Sequence, residues 1–178
     1  ISQASNLILG SELSENFSTT SDETKSNFNT WIQGNYNDSN YFEDLDQCLN
    51  DLSADKPEID YKITNDDDAL YIYTSGTTGN PKAATISHKR LRLMMLGFKG
   101  AIQPNKNDRV YNVLTLYHSA GGVISVGLAL TSGASLVLKR KFSVNEFWDD
   151  VHKYKVTIFQ YIGELCRYLL NAPFHRYE

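Results

Sequence analysis

A stretch rich in glycine and hydroxyl residues follows the apolar segment 70–73 and runs from Thr74 to Lys82 as TSGTTGNPK. Gly76 and Gly79 allow a backbone with positive φ, which brings amide groups close to an anion. Lys82 adds a point positive charge that suits phosphate oxygens. The other donors are hydroxyl groups, those of Thr74, Ser75, Thr77 and Thr78. The stretch therefore has the residue types that hold phosphate groups.

Three other interpretations of this stretch fit the residues less well. A plain turn with Gly and Pro needs neither four hydroxyl groups nor a lysine. A Walker A loop requires Gly-x4-Gly-Lys-Ser/Thr, whereas Lys82 stands three residues after Gly79 and precedes Ala83. A Rossmann fingerprint opens a helix, whereas Pro81 and the β-type segment 83–87 predict a hairpin.

A second segment that could take part in chemistry is Leu116-Tyr-His-Ser-Ala-Gly-Gly122, in which an aromatic residue and a histidine precede a glycine pair. A lone histidine is more often structural than catalytic, so His118 by itself carries no assignment. Cys48 and Cys166 lie far apart and outside any metal-ligand spacing. The residues alone therefore indicate a phosphate site and no metal site.

Residues 73–82 resemble the phosphate-loop motif of the adenylate-forming superfamily, which includes acyl-CoA synthetases, luciferases and the adenylation domains of peptide synthetases. We call these residues the phosphate loop. In that superfamily the loop closes over the β- and γ-phosphates of ATP. The resemblance implies nucleotide contacts for one set of residues, namely Tyr73, Thr74, Ser75, Gly76, Thr77, Thr78, Gly79 and Lys82.

The segment 116–122 resembles the aromatic-His motif of the same superfamily, whose histidine lies near the acyl carboxylate and the α-phosphate during adenylation. The resemblance implies a catalytic and substrate-binding role for His118 and places Tyr117 at the entrance of the acyl pocket. Residues 71–73, 141–148 and 159–170 are similar to the branch of very-long-chain acyl-CoA synthetases and fatty acid transport proteins. In that branch Gly163 is expected to let the backbone approach the acyl group.

The activity that the resemblance implies is ATP-dependent activation of a long- or very-long-chain fatty acid. The fatty acid forms an acyl-adenylate, with Mg²⁺ accompanying ATP, and CoA then accepts the acyl group as a thioester. The family's magnesium-binding Glu, ribose-binding Asp and catalytic Lys belong to later motifs that the sequence does not contain. We therefore expect an internal fragment that is inactive alone. The activation could be coupled to fatty acid uptake. The alternative to an activating enzyme is a lipid-transport or lipid-binding protein with an inherited nucleotide site.

The composition limits the kinds of partner and the cellular setting that we expect for the protein. The balance of 17 Lys and Arg against 21 Asp and Glu gives a formal net charge of −4, which offers no general attraction to nucleic acid. The apolar tract 123–138 is interrupted by glycine, serine and threonine and is shorter than the about 20 residues of a spanning helix. We expect it to be core, with a peripheral membrane contact left open. The two cysteines form no disulfide framework, which favours an intracellular setting, and the resemblance implies membrane association.

Short apolar runs alternate with amphipathic runs after residue 68, which predicts an α/β fold with mixed sheets covered by helices. Strands are expected at 69–74, 83–87, 109–114, 135–138 and 156–160. Helices are expected at 88–101, 121–131, 143–154 and 163–171. Ser143 and Glu146 predict a capping box for the third of these helices.

The chain is expected to consist of two unlike parts. Residues 1–68 are polar and are predicted to be a weakly structured lead-in, with a strand at 6–9 and a helix at 41–52. By resemblance, residues 69–178 form part of the large N-terminal domain of an adenylate-forming enzyme. That part carries both the phosphate loop and the aromatic-His motif.

Overall fold

The structure is a computed structural model that describes residues 4–36, 42–74 and 82–173, and the chain forms two units, residues 1–62 and 63–178. The first unit contains a parallel sheet in the order β1-β2-β3. The strands are β1 (Asn6–Gly10), β2 (Asn29–Gln33) and β3 (Glu43–Asp44). The helices are a 3-10 turn (Ser11–Leu13), α1 (Ser14–Ser18), α2 (Asp22–Lys25) and α3 (Leu45–Asn50).

The first unit has more regular structure than its polar composition predicts. The expected strand at 6–9 is present as β1. β2 is not predicted from the sequence, because Thr30 and Ile32 are its only buried residues and so short an alternation does not stand out. The expected helix at 41–52 is present in shorter form as α3, which begins after Asp44 because that side chain accepts a hydrogen bond from Gln47 N (3.0 Å).

The second unit holds an antiparallel hairpin and a parallel sheet in the order β7-β6-β8. The hairpin consists of β4 (Asp68–Thr74) and β5 (Lys82–Ser87), and the sheet of β6 (Arg109–Asn112), β7 (Ser135–Leu138) and β8 (Ile158–Gln160). The helices are α4 (His88–Ile102), a π-helix (Ser119–Ser125), α5 (Val126–Ser132), α6 (Val144–Tyr154) and α7 (Gly163–Leu170). The predicted α/β fold with mixed sheets and covering helices is confirmed.

In place of the single helix expected at 121–131, the structure has a π-helix followed by an α-helix. A π-helix begins earlier, at Ser119, and gives way to α5 at Val126. Val126 N–H donates to the Gly121 carbonyl, five positions earlier, which makes the turn wider than an α-turn. Over a single turn the apolar spacing of the two helix types is too similar for the sequence to distinguish them.

β6 lies at the centre of the parallel sheet and is buried on both faces. Val110, Tyr111 and Asn112 expose 0%, 1% and 0% of their surface. Val110 packs with Leu128 of α5 on one face, whereas Tyr111 packs with Phe147 of α6 on the other. Successive residues of a strand point to opposite faces, so these contacts place helices on both sides of the sheet.

A buried carboxylate connects α6 to β6 and to the residue that follows β7. Asp150 is 7% exposed, and its Oδ2 accepts the Tyr111 hydroxyl at 2.9 Å and lies 2.7 Å from Lys139 Nζ. Burial and the hydrogen bond to Asp150 raise the pKa of Tyr111. Hydrogen bonds to Asp150 and Glu146 raise the pKa of Lys139. The buried charge is tolerated because it is paired and hydrogen-bonded.

The predicted capping box at the start of α6 is wrong. Ser143 occupies the N-cap position, but its side chain makes no capping hydrogen bond. The Glu146 carboxylate instead lies 3.1 Å from Lys139 Nζ. An ammonium group offers a charge-assisted hydrogen bond, which is stronger than one from a neutral backbone amide.

We expect Asp150→Ala to lower the free energy of unfolding by about 2–4 kcal/mol, because it leaves the Tyr111 hydroxyl buried without its acceptor and Lys139 without its buried partner. The matched control is Glu146→Ala, which removes the solvent-exposed partner of Lys139 and should cost less than about 1 kcal/mol. Equilibrium urea unfolding of both variants measures the difference. Equal losses would contradict the importance given to the buried carboxylate.

Candidate functional site

A cavity of about 440 Å³ lies between β4 and the segment that leads into the π-helix. Residues 70–73 form one wall, and residues 116–118 with Gly122 and Val123 form the other. This volume falls in the range of small-molecule sites, roughly 300–1,000 Å³. The cavity brings together three of the predicted site residues, Tyr73, Tyr117 and His118.

The ends of the phosphate loop are neighbours in the β4-β5 hairpin. Thr74 pairs with Lys82 in the antiparallel register, and the Thr74 hydroxyl donates to the Lys82 carbonyl at 3.4 Å. The loop therefore leaves and re-enters the hairpin at one end, next to Tyr73 in the cavity wall. The other predicted nucleotide-binding residues lie outside the described part of the chain, and these are Ser75, Gly76, Thr77, Thr78 and Gly79.

His118 caps the N-terminus of the π-helix. Its Nδ1 accepts the Ala120 backbone N–H at 3.2 Å, and its backbone carbonyl accepts Gly122 N–H at 2.9 Å. A neutral imidazole that accepts at Nδ1 carries its proton on Nε2. Nε2 makes no hydrogen bond to any of the described residues. The histidine in the cavity wall therefore has a donor available for a ligand.

Two glycines permit the turn that carries His118. A Cβ on Gly121 would overlap the carbonyl oxygens of Leu114 and Thr115, and a Cβ on Gly122 would overlap that of Leu116. The overlapping atoms belong to the backbone, so no side-chain rotation could relieve the clash. The backbone of residues 114–116 thus lies directly against the start of the π-helix.

The apolar walls of the cavity are not predicted from the sequence. Leu70 and Ile72 of β4 line one side, and Leu116 and Val123 line the other. Leu70 and Ile72 precede the phosphate loop, Leu116 is the first residue of the aromatic-His segment, and Val123 directly follows it. Their position could have been found from the motifs by asking which adjacent side chains share a strand or turn with them.

Gly163 does not line this cavity. It is the first residue of α7, and a Cβ placed on it would meet no heavy atom of the described residues within 4 Å beyond its chain neighbours and the backbone of its own helix. The role at the acyl group that the resemblance implies for Gly163 stays a prediction.

Other features of the described ranges bear on the expected chemistry. No three His, Cys, Asp or Glu side chains in 4–36, 42–74 and 82–173 lie close enough together to hold a metal ion. No helix in these ranges is long and apolar enough to cross a membrane. Cys48 and Cys166 are free and half-buried.

The family model described as AMP-binding enzyme matches residues 5–178 of the chain. The match includes nearly all of the polar first unit as well as the second.

Among curated proteins, the chain is 39% identical to long-chain fatty acid transport protein 1 of Bos taurus, over 99% of the chain and 28% of that protein. It is 52% identical to long-chain fatty acid transport protein 3 of Mus musculus, over 60% of the chain and 16% of that protein. The chain thus spans less than a third of the length of these relatives.

The chain is also similar to solved structures. The inhibitor-bound N-terminal domain of FACL13 from Mycobacterium tuberculosis matches with a TM-score of 0.79 and 22% identity, over 97% of this chain and 41% of that one. ATP-bound MatB from Rhodopseudomonas palustris matches with a TM-score of 0.78 and 21% identity, over 96% of this chain and 32% of that one. At this level of identity the likeness shows a shared fold.

We expect Gly122→Ala to destabilise the turn at 116–118, because the new methyl group would displace the Leu116 carbonyl from its place against the π-helix. Gly163→Ala is the matched control, since its methyl group meets open space at a helix start. The first variant should lower the free energy of unfolding by about 1–3 kcal/mol, and the control should leave it unchanged or raise it by up to about 1 kcal/mol. Urea unfolding of the pair tests this, and equal effects would contradict the close approach.

Proposed function

Because the chain belongs to the AMP-binding enzyme family, we propose that the whole protein activates long- or very-long-chain fatty acids with ATP and transfers them to CoA through an acyl-adenylate. The identity of 39% to a long-chain fatty acid transport protein over 99% of the chain supports a fatty-acyl substrate. The enzyme would be an acid–thiol ligase. Its substrates would be a fatty acid, ATP and CoA.

One observation carries the proposal, namely the cavity that joins the hairpin of the phosphate loop to His118. A ligase of this class must hold a carboxylate within reach of the α-phosphate of ATP. Tyr73, the first residue of the phosphate loop, lies in one wall and His118 lies in the opposite wall, so a phosphate held by the loop and a carboxylate beside the imidazole would meet in one site.

In the first half-reaction a carboxylate oxygen attacks the α-phosphorus of ATP, and the bond to the bridging oxygen of pyrophosphate breaks. The loop amides and hydroxyl groups and the Lys82 ammonium would hold the phosphate oxygens and neutralise their charge. His118 would donate its Nε2 proton in a hydrogen bond to the carboxylate or the α-phosphate, which orients the two reactants. Tyr117, 81% exposed, would border the entrance.

In the second half-reaction the CoA thiolate attacks the carbonyl carbon of the acyl-adenylate, and AMP leaves with the electron pair of the broken acyl–phosphate bond. Mg²⁺ would supply charge neutralisation at the phosphates. The described residues offer it no carboxylate cluster, so we assign no step to it here.

The apolar walls favour a hydrocarbon substrate. The cavity is lined by four aliphatic side chains together with three tyrosine rings and His118, and the aliphatic ones are Leu70, Ile72, Leu116 and Val123. Burying methylene groups against such walls contributes about 0.8 kcal/mol for each group, whereas a polar acid would lose hydration there without compensation. A fatty acid therefore suits the cavity better than a small hydrophilic acid.

A second candidate function is fatty acid uptake, which the names of the curated relatives favour. Activation inside the cell would trap an incoming fatty acid as its CoA ester, so the two functions are compatible.

An intracellular, membrane-associated location through a peripheral contact is also part of the proposed function. So is the inactivity of residues 1–178 alone, since the implied ribose-binding, magnesium-binding and catalytic lysine motifs are not among them.

We expect Lys82→Ala and Thr78→Ala in the full-length protein each to lower kcat/KM for ATP by about 10- to 100-fold, because each removes a donor to phosphate and charged hydrogen bonds contribute about 1.5–3 kcal/mol. Lys89→Ala is the matched control, an exposed cation on α4 away from the cavity. Acyl-CoA synthesis measured at varied ATP provides the test. Unchanged synthesis in both loop variants would overturn the nucleotide assignment.

Fatty acid uptake by cells that express the same variants separates the two candidate functions. If uptake is driven by activation, it should fall in parallel with acyl-CoA synthesis in Lys82→Ala and stay unchanged in Lys89→Ala. Uptake that persists in a variant without ligase activity would instead favour a transport role with an inherited nucleotide site.

A further inference from the structure

We infer that Asn112 is a positioning residue for His118. The predicted effect on catalysis rests on the proposed function. The predicted effect on the position of the turn rests on its geometry alone. Asn112 is the last residue of β6 and is fully buried, at 0% exposure. A polar amide at the centre of a sheet is unusual, since an apolar side chain there would add packing without needing hydrogen bonds.

Asn112 uses both ends of its amide on one residue of the following turn. Its Oδ1 accepts Leu114 N–H at 3.1 Å, and its Nδ2 donates to the Leu114 carbonyl at 3.2 Å. The Asn112 backbone carbonyl accepts Lys139 N–H at 3.0 Å, which anchors the strand end to the residue after β7. The side chain thus fixes the backbone of Leu114 to the most buried strand of the unit.

The position of Leu114 is passed on to His118 through backbone contacts. The Leu114 carbonyl lies directly against Gly121, where no Cβ could fit. The next residue, Thr115, accepts His118 N–H with its carbonyl at 3.2 Å. A shift of Leu114 would therefore move both the start of the π-helix and the backbone that carries the imidazole.

A second buried polar side chain, that of Ser125, holds the other side of the turn. Ser125, at 0% exposure, donates from its Oγ to the Ala120 carbonyl at 3.4 Å. Ala120 N–H in turn donates to His118 Nδ1. Two buried polar side chains thus orient the imidazole. Asn112 makes two hydrogen bonds to the turn, at 3.1 and 3.2 Å, whereas Ser125 makes one, at 3.4 Å.

The experiment compares Asn112→Ala with Val110→Ala in the full-length protein. Val110 lies on the same strand, is also buried at 0% exposure, and packs with Leu128 and Ala134, so its truncation lowers stability through a cluster that contains no residue of 114–122. Hydrogen exchange of the peptide 114–122, measured by mass spectrometry, should rise about tenfold or more in Asn112→Ala and stay within about twofold in Val110→Ala. Equal exchange in the two variants would overturn the inference.

The catalytic consequence is tested by combining Asn112→Ala with His118→Ala. Alone, Asn112→Ala should lower kcat for acyl-adenylate formation by about tenfold or more and leave KM for ATP within about twofold. The reason is that a misplaced catalytic group lowers the rate of the chemical step by at least this factor. In the His118→Ala background it should cause no further loss of kcat. Losses that multiply would show that Asn112 acts independently of His118 and would overturn the inference.

The two arms separate failure of the inference from failure of the proposed function. If His118→Ala leaves adenylation unchanged, the role proposed for His118 is wrong, and hydrogen exchange alone then decides the role of Asn112. Raised exchange at 114–122 would support positioning of the turn, and unchanged exchange would overturn it.

Discussion

The burial of β6 on both faces is the constraint on which the second unit depends. Val110 and Tyr111 face opposite layers of helices, so neither side of the sheet can be remodelled without exposing apolar surface or creating a void. The end of this strand is therefore a rigid point of departure. The turn that carries His118 begins there, and the cavity forms where that turn meets β4.

Polar groups inside this apolar frame are satisfied locally, each in a different way. Asp150 receives a hydroxyl and an ammonium group and so joins α6 to β6 and to Lys139. Asn112 satisfies both ends of its amide on the backbone of Leu114. Because an unpaired polar group costs more inside a protein than in water, such pairings favour one arrangement of the chain over its alternatives. The first fixes a helix, and the second fixes a turn.

Much of this unit follows from local sequence. The apolar runs predict β4 to β8, and Pro81 with the β-type segment 83–87 predicts the hairpin of β4 and β5. The features that the sequence does not reveal depend on how turns and strand ends pack against their neighbours in three dimensions. Glu146 turns from a capping role to Lys139 only because β7 ends beside α6, and the π-helix forms against carbonyls of a preceding turn. Asn112 falls inside the predicted strand 109–114, but nothing in the sequence shows that its amide is buried and bonded to the backbone of Leu114.

The turn at 114–118 is anchored by backbone groups, two glycines and the buried amide of Asn112, whereas much of the cavity wall consists of apolar and tyrosine side chains. His118 belongs to both groups, because it lines the cavity and also accepts the Ala120 N–H. The side chains of Leu70, Leu116 and Tyr117 are partly exposed and make no hydrogen bond that holds the turn. A substitution at Leu70 or Tyr117 could therefore reshape the cavity while the imidazole keeps its place.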